Sequence, residues 1–169
     1  QFFPLRGISR RETIFNFQTH LLWNNSNLGF AGGNNVGIKY ALEHGADYVL
    51  LLNNDAIAAP NFLTELVRVA ESNSNFGILG SRIYKYGTND IIFDGGKINK
   101  WLTRGEHIAN FQFFPLRGIS RRETIFNFQN VDYITGAAML IKRGVIERIG
   151  LMREEYFLYY EDVDWCIRV

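Results

Sequence analysis

Three carboxylates stand where this chain could do chemistry. Asp55 closes the run Tyr48-Val49-Leu50-Leu51-Leu52-Asn53-Asn54-Asp55, and Glu161 and Asp162 open the run Glu161-Asp162-Val163-Asp164-Trp165. A lone carboxylate among hydrogen-bonding amides suits a hard divalent cation that also carries phosphate oxygens. Two adjacent carboxylates amid aromatic residues suit general-base work, because like charge and an apolar setting both raise a carboxylate pKa. Each reading has a plainer counterpart. Asn and Asp are common turn residues, and acidic residues favour a helix amino terminus through the macrodipole. Asp164 and Arg168 fall at i,i+4 on a helix, which makes Asp164 structural.

These groups need a scaffold, and the apolar pattern supplies one. Residues 47–52 read as a strand buried on both faces, of the kind found in parallel sheets. Ligands of open α/β sheets bind beyond the carboxyl ends of such strands, where Asn53-Asn54-Asp55 lies. A short strand is expected over residues 19–24. The stretch Gly29-Phe30-Ala31-Gly32-Gly33-Asn34-Asn35 reads as a tight turn whose glycines permit close backbone approach to a ligand. Asn34 or Asn35 would cap a helix that runs to about His44 and stops at Gly45. The spacing is not the G-x-G-x-x-G fingerprint of dinucleotide binding.

A helix is expected over residues 60–72, with Phe62, Leu63, Leu66, Val69 and Ala70 at helical spacing. Strands are expected near 76–80, 90–93, 97–101 and 135–141, and a helix over 142–149 ending at Gly150. The small residues Gly136-Ala137-Ala138 leave room for a bulky ligand or for a closely packed helix. The order of elements predicts a mainly parallel sheet with helices on both faces and an antiparallel extension.

The bulk properties exclude several classes. The 169 residues fit one domain. The net charge of +1 implies no nucleic-acid partner. Cys166 is the only cysteine, so there is neither a disulfide framework nor a cysteine zinc site. His20, His44 and His107 form no metal-spaced pair. No apolar run approaches the roughly 18 residues of a membrane-spanning helix. A cytoplasmic setting is expected, with room for peripheral contact at the inner face of the cell membrane.

Residues 1–18, QFFPLRGISRRETIFNFQ, recur unchanged at 112–129. Solenoid repeats have periods of about 20–50 residues and diverge; this pair does neither. Recent duplication, engineering and an error of sequence assembly all predict such identity. A basic-aromatic binding arm is a further reading. The copies contribute +4, so the remainder of the chain carries −3. The expected organisation is a duplicated segment at 1–18 and a partial catalytic domain at 19–169, with 112–129 as the second copy.

Four segments together carry a resemblance. They are Asn27-Leu28-Gly29-Phe30-Ala31-Gly32-Gly33-Asn34-Asn35, Leu52-Asn53-Asn54-Asp55, Thr135-Gly136-Ala137-Ala138-Met139-Leu140-Ile141 and Phe157-Leu158-Tyr159-Tyr160-Glu161-Asp162-Val163-Asp164-Trp165. In this order the chain resembles the GT-A-fold family 2 glycosyltransferases, in their bacterial rhamnosyltransferase-like branch. The resemblance implies an α/β fold, a Rossmann-like mixed sheet flanked by helices and truncated at both ends. It implies inverting transfer of a sugar from a UDP- or dTDP-linked donor to a hydroxyl of a lipid-linked or polysaccharide glycan. Asp55 would hold Mg²⁺ or Mn²⁺. Asn27, Gly33, Asn34, Asn53, Asn54, Gly136 and Ala137 would border the nucleotide sugar. Asp162 would be the base, with Glu161 beside it. Two other readings stand at this stage: an inactive remnant that binds nucleotide weakly, and another α/β nucleotide-binding protein such as a dehydrogenase. The family's early strand–helix–strand unit, with its base-contacting Asp, has no match here.

Overall fold

The computed structural model describes residues 19–99, 104–107 and 130–169. Both copies of the repeated segment lie outside the described residues. The elements in chain order are α1 (Gly29–Glu43), β1 (Tyr48–Leu52), α2 (Phe62–Ser72), β2 (Ile78–Gly80), β3 (Ile83–Tyr84) and β4 (Ile91–Phe93). They continue with β5 (Gly96–Asn99), β6 (Arg104–His107), β7 (Ala138–Lys142), α3 (Arg143–Ile149) and α4 (Glu161–Ile167).

The principal sheet has the order β1-β7-β2. Tyr48 pairs with Lys142 and Leu52 with Ala138, while Ile78 pairs with Ile141. Both ladders are antiparallel, so among the described residues the expectation of a mainly parallel sheet fails. β1 and β2 do run in the same direction, but β7 lies between them, reversed. Two hairpins, β3-β4 and β5-β6, accompany this sheet. Helices cover both faces. Val49 and Leu51 pack with Met139 and Ile141 against α1, α3 and Trp165 of α4. Leu50 lies with Leu140 against Leu66 and Ala70 of α2. Apolar residues at every position of β1 are what a strand covered on both sides requires.

Residues 19–24 do not form a strand. β propensity without a neighbouring strand to pair with does not make one, and Leu21 and Trp23 are 80 % and 83 % exposed. The glycine-rich turn expected at 29–35 is instead the first half of α1. The turn comes one step earlier: Asn27 Oδ1 accepts from the Gly29 N–H at 2.9 Å, and Gly29 adopts φ +71°. Neither Asn34 nor Asn35 is a cap. Asn34 donates back to the Phe30 carbonyl at 2.8 Å within the helix.

Asn35 is fully buried and ties α1 to the segment after α3. Its amide donates to the Met152 carbonyl and to Glu154 Oε1, both at 2.9 Å, and its Oδ1 accepts from the Met152 N–H at 3.1 Å. Asn35→Ala strands two backbone groups in the interior and should lower stability by about 1–3 kcal/mol. Urea unfolding with an unchanged m-value checks this. A midpoint equal to that of the parent would show that water replaces the amide.

Gly95 and Gly96 seat the segment that leads into β7. Gly95 has φ +99°, and a side chain at Gly96 would run into the Tyr133 ring. The Gly96 N–H donates to the Tyr133 carbonyl at 3.0 Å, seating residues 131–133 against β5. Among the described residues no helix is long and apolar enough to cross a membrane.

Candidate active site

A cavity of about 550 Å³ opens beyond the end of β1 and the start of β7. Ligand cavities run from about 300 to 1,000 Å³. Asn53, Thr135, Gly136 and Ala137 form one side, Phe30 and Tyr133 another, and residues 158–163 the third. The antiparallel ladder brings the first side together. The Asn53 N–H donates to the Ala137 carbonyl at 3.0 Å, one step past the last pair of β1 and β7. The Gly136 backbone passes close to Phe30: a Cβ there would lie 2.7 Å from the ring.

α4 delivers the carboxylates and is anchored at three points. Trp165 is completely buried, and its indole N–H donates to the Gly150 carbonyl at 2.8 Å. Cys166 Sγ accepts from the Ile134 N–H at 3.3 Å. Burial pushes this thiol up to about 12, so it stays protonated and inert. Arg168 pairs with Asp164 at 2.8 Å, the expected i,i+4 bridge, and donates to the Ile149 and Leu151 carbonyls.

One turn upstream, Asp162 points back to the β7 side. Its Oδ2 accepts from the Gly136 N–H at 3.0 Å and its Oδ1 from the Val163 N–H at 2.8 Å. Each oxygen keeps lone-pair capacity for a further partner. Glu161 is only 4 % exposed, and its Oε2 has no hydrogen-bond partner among the described residues. Burial pushes its carboxyl above the ordinary range. The Asp162 charge adds to this, while its own backbone N–H pulls the other way.

Tyr159 and Tyr160 lead into α4 with φ of 72° and 69°. Left-handed backbone at two successive bulky residues is strained, at about 1–3 kcal/mol each. Such strain persists where the surroundings hold it. Here it turns the chain so that residues 158–160 line the cavity and α4 begins at its edge.

Of the residues singled out in the sequence, Asn53, Gly136, Ala137, Glu161 and Asp162 share this cavity. Asn54 and Asp55 lie in the exposed turn just beyond β1. Asn27 is exposed before α1, while Gly33 and Asn34 sit on α1 itself, away from the cavity lining. Phe30, Tyr133, Thr135, Tyr159 and Tyr160 line the cavity without having been singled out. The aromatic run directly before the acidic cluster was the signal for the last two.

A mixed α/β scaffold with carboxylates beyond the carboxyl end of β1 defines a class, and comparison with known proteins supplies the family. Residues 7–150 match the model of glycosyl transferase family 2, and the chain belongs to that family. Its fold is therefore GT-A. The chain is 30 % identical over 151 residues to the low-salt glycan biosynthesis hexosyltransferase Agl10 of Haloferax volcanii, covering 88 % of this chain and 45 % of that protein. It is 26 % identical to the rhamnosyltransferase WbbL of Escherichia coli K12, covering 83 % of this chain and 54 % of that one. It is 29 % identical to the dTDP-rhamnosyl transferase RfbF of Shigella flexneri, covering 89 % and 46 %. The chain thus spans about half the length of these relatives.

Proposed function

We propose that this chain carries the catalytic centre of an inverting transferase. A UDP- or dTDP-linked sugar is the donor, and a hydroxyl of a lipid-linked or polysaccharide glycan is the acceptor. The observation that carries the reading is the shared cavity, in a family 2 chain, of Asp162, Glu161, Gly136, Ala137 and Asn53. In the proposed step the acceptor oxygen forms a bond to the anomeric carbon as the bond to the diphosphate breaks. The acceptor's proton passes to Asp162. The backbone N–H groups of Gly136 and Val163 hold that carboxylate in place. The setting is cytoplasmic, and a lipid-linked acceptor would bring the protein to the inner face of the membrane.

Asp55 is the candidate ligand for Mg²⁺ or Mn²⁺. Its side chain is exposed, and among the described residues no group of three or more His, Cys, Asp or Glu gathers around an ion site. That donor set fits a cation held by one protein carboxylate together with phosphate oxygens and water, and not an all-protein cage. When bound, the ion would offset negative charge on the departing diphosphate.

Calorimetric titration with UDP and dTDP, with and without Mn²⁺, tests the reading. Affinity in the micromolar range is expected, with Asp55→Ala weakening the Mn²⁺-dependent part by about tenfold. Absence of nucleotide binding by the parent would sink the proposal. An Asp55→Ala variant with full Mn²⁺-dependent affinity would remove Asp55 from it.

A further inference from the structure

Phe30 lines the cavity, yet the transfer proposed above leaves it without a task. Its place becomes informative once the hold on Asp162 is taken apart. Among the described residues Asp162 accepts from two backbone donors. The Val163 N–H belongs to the same helix and turns with it. The Gly136 N–H comes from the lead into β7, so it fixes the carboxylate relative to the sheet. The Phe30 ring backs that second donor. A Cβ at Gly136 would lie 2.7 Å from the ring Cζ and 2.8 Å from Cε1, so the ring stands against the glycine backbone. The same Cβ would be 3.8 Å from the Asp162 Cβ, an ordinary contact.

The main chain of Phe30 reaches the other support. Its N–H is one of the donors that a helix start leaves without a helical partner, and it donates to the Phe157 carbonyl at 2.9 Å. From Phe157 the chain turns through the left-handed Tyr159 and Tyr160 into α4. The approach is close: a side chain at Gly29, where φ is +71°, would run into that same carbonyl oxygen. Asn34 fastens the residue from within α1, donating to the Phe30 carbonyl at 2.8 Å. Resting on the transferase reading, we infer that Phe30 is a positioning residue for Asp162. Its ring sets where the Gly136 N–H stands, and its N–H sets where α4 begins. Carbon contacts are weak atom by atom, so the ring acts through placement. A misplacement of about 1 Å at reacting groups costs ~10² in rate.

The test follows transfer from UDP- and dTDP-sugars to a panel of n-octyl pyranosides with Mn²⁺. Phe30→Ala is expected to lower kcat about 10- to 100-fold and to move each KM by less than about threefold. In an Asp162→Asn background the same change should cost less than about twofold, because the group it aims is gone. Phe30→Leu keeps most of the packing and is read in the same way if the alanine variant does not fold. A size exchange supplies the rescue. Gly136→Ala alone drives a methyl group into the ring and should lose a similar factor. Combined with Phe30→Leu, which lacks the Cε1 and Cζ atoms, it should regain about tenfold. An equal fall in kcat with and without the Asp162 carboxylate overturns the inference, since it marks a substrate contact or a general loss of structure. So does a folded Phe30→Ala variant with kcat within about twofold of the parent. Crystal structures of the parent and of Phe30→Ala examine the geometry without turnover. The distance from Gly136 N to Asp162 Oδ2, 3.0 Å in the parent, should exceed about 3.5 Å in the variant. An unchanged distance overturns the inference even where the parent transfers nothing. Nucleotide calorimetry examines the transferase reading separately.

Discussion

Asp162→Asn is expected to lower kcat by ~10²–10⁴ while the protein stays folded and keeps its donor affinity. The variant keeps the size of the side chain, and its carbonyl oxygen can still accept from the Gly136 N–H. The other oxygen becomes an NH₂ group facing the Val163 N–H. That exchange costs stability on the order of 1 kcal/mol. What the amide cannot do is take a proton from the acceptor hydroxyl. The rate loss corresponds to roughly 3–5 kcal/mol of transition-state stabilisation. Steady-state transfer, nucleotide calorimetry and thermal unfolding on the same preparation separate these terms. A kcat within about tenfold of the parent would assign the proton to another group.

Trp165→Ala should destabilise the fold by about 3–5 kcal/mol. The side chain is wholly buried in the core formed by α1, β1, β7 and α3. Its indole also satisfies the Gly150 carbonyl at the end of α3, where φ is +78°. Removing it opens a cavity and orphans that carbonyl together. For a chain of this size each kcal/mol moves the melting temperature by about 2–4 °C, so a fall of about 6–20 °C is expected. Glu161 and Asp162 lie one turn away on the same helix, and transfer should fall with stability. Trp165→Phe should retain most of the packing and lose the hydrogen bond alone. A melting temperature unchanged in Trp165→Ala would mean that Cys166 and Arg168 hold α4 without it.

Much of this was legible because local pattern and final position agree. The apolar run at 48–52 demanded cover on both faces, and α1 and α2 provide it from opposite sides. Gly45 and Gly150 lie at the ends of their helices with the left-handed φ that glycine tolerates. Asp164 and Arg168 met as their spacing requires. The direction of β7 was not legible. Parallel or antiparallel pairing is decided by the path of the chain between strands, and residues 138–142 carry the same apolar signal either way. Glycines at 32 and 33 suggested a loop, yet they continue a helix. At 32 the glycine answers packing: a side chain there would crowd Leu28, with its Cβ 2.9 Å from the Leu28 Cβ. Asn35 looked like a cap because caps are where Asn is commonest. Its burial depends on Met152 and Glu154, more than a hundred residues away.

The place of β7 also governs how the chain reaches this state. β1 and β2 are close in sequence, but neither pairs with the other; each pairs with a strand made nearly sixty residues after β2. Closing so long a loop costs entropy before any ladder rewards it, and such non-local pairing slows folding. During synthesis β1 therefore emerges before β7, its partner among the described residues. That interval is when the chain is most exposed to association with its neighbours.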